Sequence, residues 1–176
     1  MMEVMQCGLS WDLMMKKRDI FRAVFDGFDF DRIAAYGEAD IERILAHEGM
    51  IRSRRKVEAV IHNAKMFVAL RREFGTFTKY IWGFSGDKTI LYDKHGKGLI
   101  PASNGLSEEI SADLRKRGFK YLGPVTVYSH LQSSGVVNDH LETCPRYAAV
   151  NAATETVRKR RWKECGIVDF SRRNRS

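Results

Sequence analysis

Hydrophobic side chains recur along this chain at the spacing of an α-helix. Phe21 is followed three residues later by Val24 and four residues later by Phe25. Similar apolar stripes run through residues 41–45 and 57–68. Such spacing places apolar side chains on one helical face, where they can pack together. The pattern therefore predicts an all-α protein built as a bundle of amphipathic helices.

Polar and glycine positions predict where several of these helices begin and end. Asp29 and Asp31 are placed to cap a short helix that runs through Tyr36 and that Gly37 stops. Gly118 is expected to end a helix over residues 106–117, and Pro124 to open the next one, since proline is favoured at the first helical position. The chain is thus expected to run helix, tight turn, helix in this region.

Two regions depart from the helical pattern or follow it less closely. Glycines and a proline interrupt residues 85–105, which predicts an irregular loop with one short strand at Thr89–Tyr92. A last helix is predicted over residues 148–165, followed by a disordered basic end. The expected organisation is one domain over residues 1–145 and a basic C-terminal helix and tail over residues 146–176.

Composition narrows the class of protein. The chain has 176 residues, of which 44% are hydrophobic and 30% charged, as is usual for a globular domain with a real core. No apolar run approaches the roughly 18 residues of a membrane span. The three cysteines, Cys7, Cys144 and Cys165, favour a reducing cytoplasm over a disulfide framework. A net charge of +8 favours a polyanionic partner, although many basic proteins bind no nucleic acid.

Three separated motifs carry a more specific signal. They are "GLSWDLMMKKRDIFRAVFDGFD", "EGMIRSRRKVEAVIHNAKMFVAL" and "LRKRGFKYLGPVTVYSHLQSSGVVNDHLETC". In the third, a glycine-bounded hairpin over residues 118–123 joins two helices, and free N–H groups at a helix start attract phosphate. Over residues 3–144 the chain resembles the DNA-3-methyladenine glycosylase I family of helix-hairpin-helix enzymes.

The resemblance implies a function and a partner. The family removes 3-methyladenine from alkylated double-stranded DNA in base-excision repair by hydrolysing the N-glycosidic bond. A monomeric enzyme without a lyase step is expected. The alternative hypothesis is a noncatalytic helix-hairpin-helix DNA-binding protein whose base pocket is incomplete. Upstream sequence that encodes the family's remaining zinc ligands would favour the enzyme.

The resemblance also assigns a base-binding site near the start of the chain. Glu3 matches the residue that recognises the cationic base, and we take it as the catalytic residue; Trp11 matches the pocket tryptophan that stacks on the base. Gly8 and Leu9 match the loop that enters the gap left by the flipped nucleotide. The ordinary alternatives are a frayed terminus for Glu3, a core position for Trp11, and a simple turn with Ser10 as helix cap.

Basic residues supply the candidate DNA contacts. Arg52, Arg54 and Lys56 match the family's R-x-R-x-K signature, and Lys120 and Gly123 belong to the hairpin. Such residues contact phosphates, which position DNA without reading its sequence. For each side chain an ordinary solvated or ion-paired role is the alternative.

The turn after the second motif helix is the last candidate site. Asn138 stands where many related glycosylases carry a catalytic aspartate, and Asp139 is expected to cap the turn, to support His140 or to point elsewhere. His140 and Cys144 match two ligands of the family's structural zinc site. The other two ligands belong to a family segment that precedes the position of Met1. The resemblance therefore implies an N-terminally truncated chain with an incomplete zinc site.

Overall fold

The structure is a computed structural model, and it describes residues 2–6, 8–93, 95 and 99–159. The fold in this part of the chain is mainly helical, as the apolar stripes predict. The helices are α1 (Met2–Gln6), α2 (Trp11–Lys16), α3 (Arg18–Val24), α4 (Phe30–Ala34), α5 (Glu38–Ala46), α6 (Arg54–Phe74), α7 (Phe77–Gly83), α8 (Gly105–Lys116), α9 (Pro124–Ser133) and α10 (Pro145–Ala153); the strands are β1 (Thr89–Tyr92) and β2 (Thr156–Lys159). Within the described ranges, no helix combines the length and hydrophobicity needed to cross a membrane.

The chain divides into two compact units. The first unit contains Met1–Gly75 and Leu114–Leu122, and the second contains Thr76–Asp113 and Gly123–Ser176. In the first unit the long helix α6 packs against α1, α4 and α5. Apolar side chains from these elements form its core, among them Met5, Phe21, Phe25, Ile33, Ile44, Val57, Val60 and Ala64. The domain boundary predicted after residue 145 stays a prediction.

Side-chain caps set the start of several helices. Asp29 Oδ1 accepts hydrogen bonds from the backbone N–H groups of Asp31 and Arg32, at 3.0 and 3.1 Å, which confirms Asp29 as the cap of α4. Asp31 lies inside the helix and its carboxylate accepts from Arg71 instead, and α4 ends at Ala34 rather than at Tyr36. A reciprocal cap begins α8 and was not predicted. Asn104 Oδ1 accepts from Ser107 N and Ser107 Oγ accepts from Asn104 N, both at 2.9 Å and both fully buried.

Strand β1 lies in the interior of the second unit. All four of its residues are buried, and it occupies the predicted range. It pairs in parallel with β2, with Thr89 opposite Thr156 and Tyr92 opposite Lys159. On its other edge, Ile90 N donates to Val136 O at 2.8 Å. Both edges of β1 therefore have hydrogen-bond partners.

The helix predicted over residues 148–165 is wrong in its bounds. The helix is α10, which ends at Ala153, and β2 follows it. Thr154, Thr156 and Val157 are β-branched, which lowers helix propensity, and the open edge of β1 offers their backbone an alternative set of hydrogen bonds. The rest of that predicted helix and the predicted disordered end lie outside the described residues.

Candidate nucleic-acid interface

The predicted base-reading residue Glu3 lies in α1. The side chain of Glu3 lies outside the described part of the chain, so its role stays a prediction. Its neighbours Val4 and Met5 are buried in the core of the first unit. A fixed interior therefore holds the backbone of this helix, in contrast to the frayed terminus of the alternative hypothesis.

A tight turn connects α1 to α2. Leu9 N donates to Gln6 O, and Ser10 Oγ accepts from Leu13 N at 3.3 Å as the cap of α2. Gly8 has a φ of +78° in this turn. Leu9 is half-buried and packs against the core of the first unit. The ordinary description of this segment as a capped turn is confirmed, and the insertion of Leu9 into DNA stays a prediction.

Trp11 begins α2 and does not belong to the core. Its side chain is 48% exposed, and Met15, one helical turn later, is 44% exposed. Trp11 and Met15 therefore leave about half of their side chains accessible to a ligand. The core alternative for Trp11 is therefore wrong, while base stacking stays a prediction.

The three basic residues before and within α6 have different surroundings. Arg52 is exposed. The Arg54 guanidinium donates to the carboxylates of Glu38, Glu42 and Glu58, the last two at 2.6 and 2.9 Å. These bonds raise the pKa of Arg54, the bond to Glu38 most strongly. Since its donors already have carboxylate acceptors, the structure disfavours the phosphate contact predicted for Arg54.

Lys56 also has a structural partner. Its ammonium group donates to the backbone carbonyl of Met5 at 2.9 Å and is partly buried. Lys56 thus ties α6 to the last turn of α1. The structure disfavours the phosphate contact predicted for Lys56 and gives the residue a positioning role instead.

The segment between α8 and α9, residues 117–123, contains the two remaining candidates for DNA contact, Lys120 and Gly123. The side chains of Lys120 and Tyr121 are exposed, and Tyr121 has a φ of +59°. Gly123 precedes Pro124 at the start of α9 with a φ of −74°, and a Cβ on it would meet no atom within 4 Å. Neither the backbone conformation nor packing against the described residues requires glycine there. Glycine at such a position suits the close approach of a ligand to the backbone.

The turn after α9 is tightly bonded. Asn138 is buried, and its Nδ2 donates to Tyr147 O at 3.0 Å and to Asn151 Oδ1 at 2.8 Å, while His140 N donates to its Oδ1. Both amide hydrogens and the oxygen are therefore used in holding the turn to α10. Asn138 acts here as a structural residue, which agrees with the expectation that it is no general base.

Asp139 occupies the centre of a buried polar cluster that sequence reasoning missed. Tyr128 Oη, His95 Nδ1 and Gln132 Nε2 lie at 2.5, 2.7 and 2.8 Å from its carboxylate oxygens. Burial and the hydrogen bond to Asp139 raise the pKa of Tyr128, so its phenol remains a neutral donor. Of the three alternatives for Asp139, the structure supports the one in which it points away from His140, since the carboxylate faces these three residues.

His140 and Cys144 are close enough to share a ligand but do not form a complete zinc site. His140 Nδ1 lies 3.8 Å from Cys144 Sγ. Structural zinc takes four nitrogen or sulfur ligands. Among the described residues, no group of three or more metal-binding side chains gathers. The pair therefore does not fit a closed structural site, and zinc binding stays a prediction.

Comparisons with known proteins agree with this arrangement. The family model for methyladenine glycosylases matches residues 1–147. The DNA-3-methyladenine glycosylase of Haemophilus influenzae is 38% identical over 144 residues, which cover 82% of this chain and 78% of the relative. DNA-3-methyladenine glycosylase 1 of Escherichia coli is 37% identical over 146 residues, with coverage of 83% and 78%.

Solved structures give the same result. A crystal structure of 3-methyladenine DNA glycosylase I superposes with a TM-score of 0.74 at 39% identity, covering 82% of this chain and 79% of that one. The Staphylococcus aureus 3-methyladenine DNA glycosylase I, whose structure concerns recognition of 3-methyladenine, has a TM-score of 0.74 at 31% identity and coverage of 82% and 77%. Fold and sequence together define a DNA glycosylase. The chain belongs to the methyladenine glycosylase family.

Proposed function

We propose that this protein is a DNA-3-methyladenine glycosylase that hydrolyses the N-glycosidic bond of 3-methyladenine in alkylated DNA and leaves an abasic site. The observation that carries the proposal is the family match over residues 1–147, together with two relatives of 37–38% identity that are named for this activity. The enzyme acts in base-excision repair as a monofunctional hydrolase.

Hydrolysis of this N-glycosidic bond requires recognition of the damaged base and little acid-base catalysis. N3-methylated adenine carries a positive charge while it is attached to the sugar. When the bond between the sugar carbon and the base breaks, its electron pair moves to the base and neutralises it. Water then bonds to the sugar carbon and loses a proton to solvent. The base is a good leaving group without protonation, so a strong general base is unnecessary.

Glu3 and Trp11 supply recognition in this proposal. The target base must leave the helical stack to be read. The Glu3 carboxylate accepts a hydrogen bond from the cationic base and opposes its charge. Trp11, exposed at the start of α2, offers a face on which the flipped base stacks. The structural use of Asn138 supports the same mechanism, because that residue has no free group to activate water.

DNA is held by a helix-hairpin-helix formed from α8, residues 117–123 and α9. The support is the open space over Gly123, the proline that follows it and the exposed Lys120. N–H groups at the start of a helix favour a phosphate, and Lys120, three residues before Gly123 in the sequence, adds a positive charge. The protein binds double-stranded DNA as a monomer, and these contacts are independent of sequence.

The deciding experiment measures release of 3-methyladenine from methylated duplex DNA by this chain. Free base is separated and quantified over time, and binding to the same duplex is measured in parallel. Release with turnover supports the enzyme. Duplex binding without any release would contradict the proposal and favour the noncatalytic DNA-binding alternative.

Lys120→Ala is expected to weaken binding to methylated and unmethylated duplexes alike. Loss of one phosphate contact lowers the slope of log affinity against log salt concentration by about one. The matched control is Arg54→Ala, which removes the same charge from a side chain that is already paired with carboxylates, so its salt slope should stay unchanged. Fluorescence anisotropy over a salt series measures both. Equal slopes in the two variants would contradict the contact assigned to Lys120.

A further inference from the structure

Side chains of α6 hold the backbone of the segment that carries Lys120. Asn63 Nδ2 donates to Lys120 O at 2.8 Å, and Lys120 N donates to Asn63 Oδ1 at 2.8 Å. One residue earlier on α6, His62 Nε2 lies 2.8 Å from Gly118 O and donates to it. All four residues belong to the first unit. The segment is therefore fixed at two points by two consecutive helix residues.

The two hydrogen bonds between Asn63 and Lys120 require a side-chain amide. Asn63 is buried, and its side chain presents one donor and one acceptor to a backbone that requires both. A carboxylate would lack the donor, and an aliphatic side chain would leave the N–H and carbonyl of Lys120 without either partner. Backbone groups that lose their partners in a partly buried position are costly, so asparagine determines the position of this stretch of chain.

Gly118 shows how closely the segment approaches α6. Its φ is +93°, and a Cβ placed on it would lie 3.1 Å from Met66 Sδ and 3.8 Å from His62 Nε2. Residues 62, 63 and 66 of α6 thus face the segment together. Beyond the point fixed by Asn63, Tyr121 turns into the left-handed conformation with an exposed side chain.

The same helix also fixes the other end of the proposed site. Lys56, seven residues before Asn63 and so close to the same helical face, donates to Met5 O in the last turn of α1. One rigid helix thereby links the backbone that bears Glu3 to the backbone that bears Lys120. The distance between the base-reading end and the phosphate-binding end is set along α6.

We propose that Asn63, with His62, is a positioning residue for DNA binding: it fixes residues 118–122 so that Lys120 and the backbone at Tyr121 meet a phosphate. The inference rests on the proposed function. The N–H of Lys120 is itself used by Asn63, so the phosphate is bound by the groups that follow it and by the ammonium of Lys120.

The test uses Asn63→Leu, which keeps a similar volume and the same charge but removes both bonds. Affinity for an undamaged duplex should fall about tenfold or more, KM for methylated DNA should rise by a similar factor, and kcat should change little, since the lost binding is shared by substrate and transition state. Affinity for free 3-methyladenine, measured by calorimetry, should stay unchanged because the proposed function assigns reading of the base to Glu3 and Trp11.

A second pair of variants separates positioning from folding. His62→Leu removes the donor to Gly118 O, whereas His62→Gln retains one at a similar reach, so only His62→Leu should weaken duplex binding. This pair decides the proposal if Asn63→Leu fails to fold. Unchanged duplex affinity in both leucine variants would overturn the proposal, and so would equal losses of duplex and free-base binding. Failure of the unsubstituted chain to release base, with duplex binding intact, would overturn the proposed function alone.

Discussion

Glu3→Gln is expected to lower the rate of 3-methyladenine excision by about ten- to a hundredfold. A charge-assisted hydrogen bond to the cationic base contributes about 1.5–3 kcal/mol, and the amide loses the charge while it presents an NH2 group to a donor on the base. Single-turnover release of free base from methylated duplex measures the effect. Binding to a duplex with an abasic site should be largely retained, because the phosphate contacts do not involve Glu3.

The control for this variant is Glu48→Gln. Glu48 is an exposed carboxylate in the same unit, and its substitution changes the net charge by the same amount. Any general gain in DNA affinity from a lost negative charge appears in both variants. Excision by Glu3→Gln at the unsubstituted rate would contradict the role assigned to Glu3, and a parallel loss of abasic-site binding would show that Glu3 supports the fold instead.

Asp139→Ala is expected to lower the free energy of unfolding by about 3 kcal/mol. The substitution removes the acceptor of Tyr128, His95 and Gln132 at once, in an interior where Tyr128 and His95 have almost no access to water. Each buried donor left without a partner costs about 1–3 kcal/mol, partly recovered by relaxation. Thermal denaturation should report a melting temperature lower by about 6–12 °C.

Glu142→Ala provides the comparison for Asp139→Ala. Glu142 lies three residues later in the same turn and is exposed. Loss of such a surface carboxylate should change stability by no more than about 0.5 kcal/mol. If the two variants melt together, the cluster around Asp139 contributes no more than an ordinary surface residue, and the stability argument for it fails.

The parts of the fold that depend on neighbouring residues could be predicted from the sequence. The cap at Asp29 and the start of α9 at Pro124 involve contacts within one helical turn. Strand β1 was predicted to the residue because glycine and proline isolate a short apolar run. The general resemblance of the three motifs was sufficient to assign the family.

Contacts between distant residues could not be predicted in this way. Asn63 and Lys120 are 57 residues apart, and His95 and Asp139 are 44 apart, so no local pattern pairs them. The phosphate contact predicted for Arg54 from the R-x-R-x-K signature is disfavoured for a related reason. Charge alone suggests a phosphate partner for Arg54, but acidic residues from α5 approach it only in the folded chain. Two local signals were overlooked: the β-branched residues after α10, which favour β2, and the asparagine at position 104, which caps α8.

The pairing of β1 with β2 has a consequence for how the chain can be shortened. The family match ends at residue 147, whereas β2 begins at Thr156. A protein cut at the family boundary would retain Glu3, Trp11 and Lys120, yet β1 would present a row of free N–H and carbonyl groups beside buried apolar side chains. Unprotected strand edges of this kind recruit strands from other molecules. Residues 156–159, beyond the family boundary, cover this strand edge and should thereby reduce aggregation. A minimal version of this protein should therefore extend through Lys159.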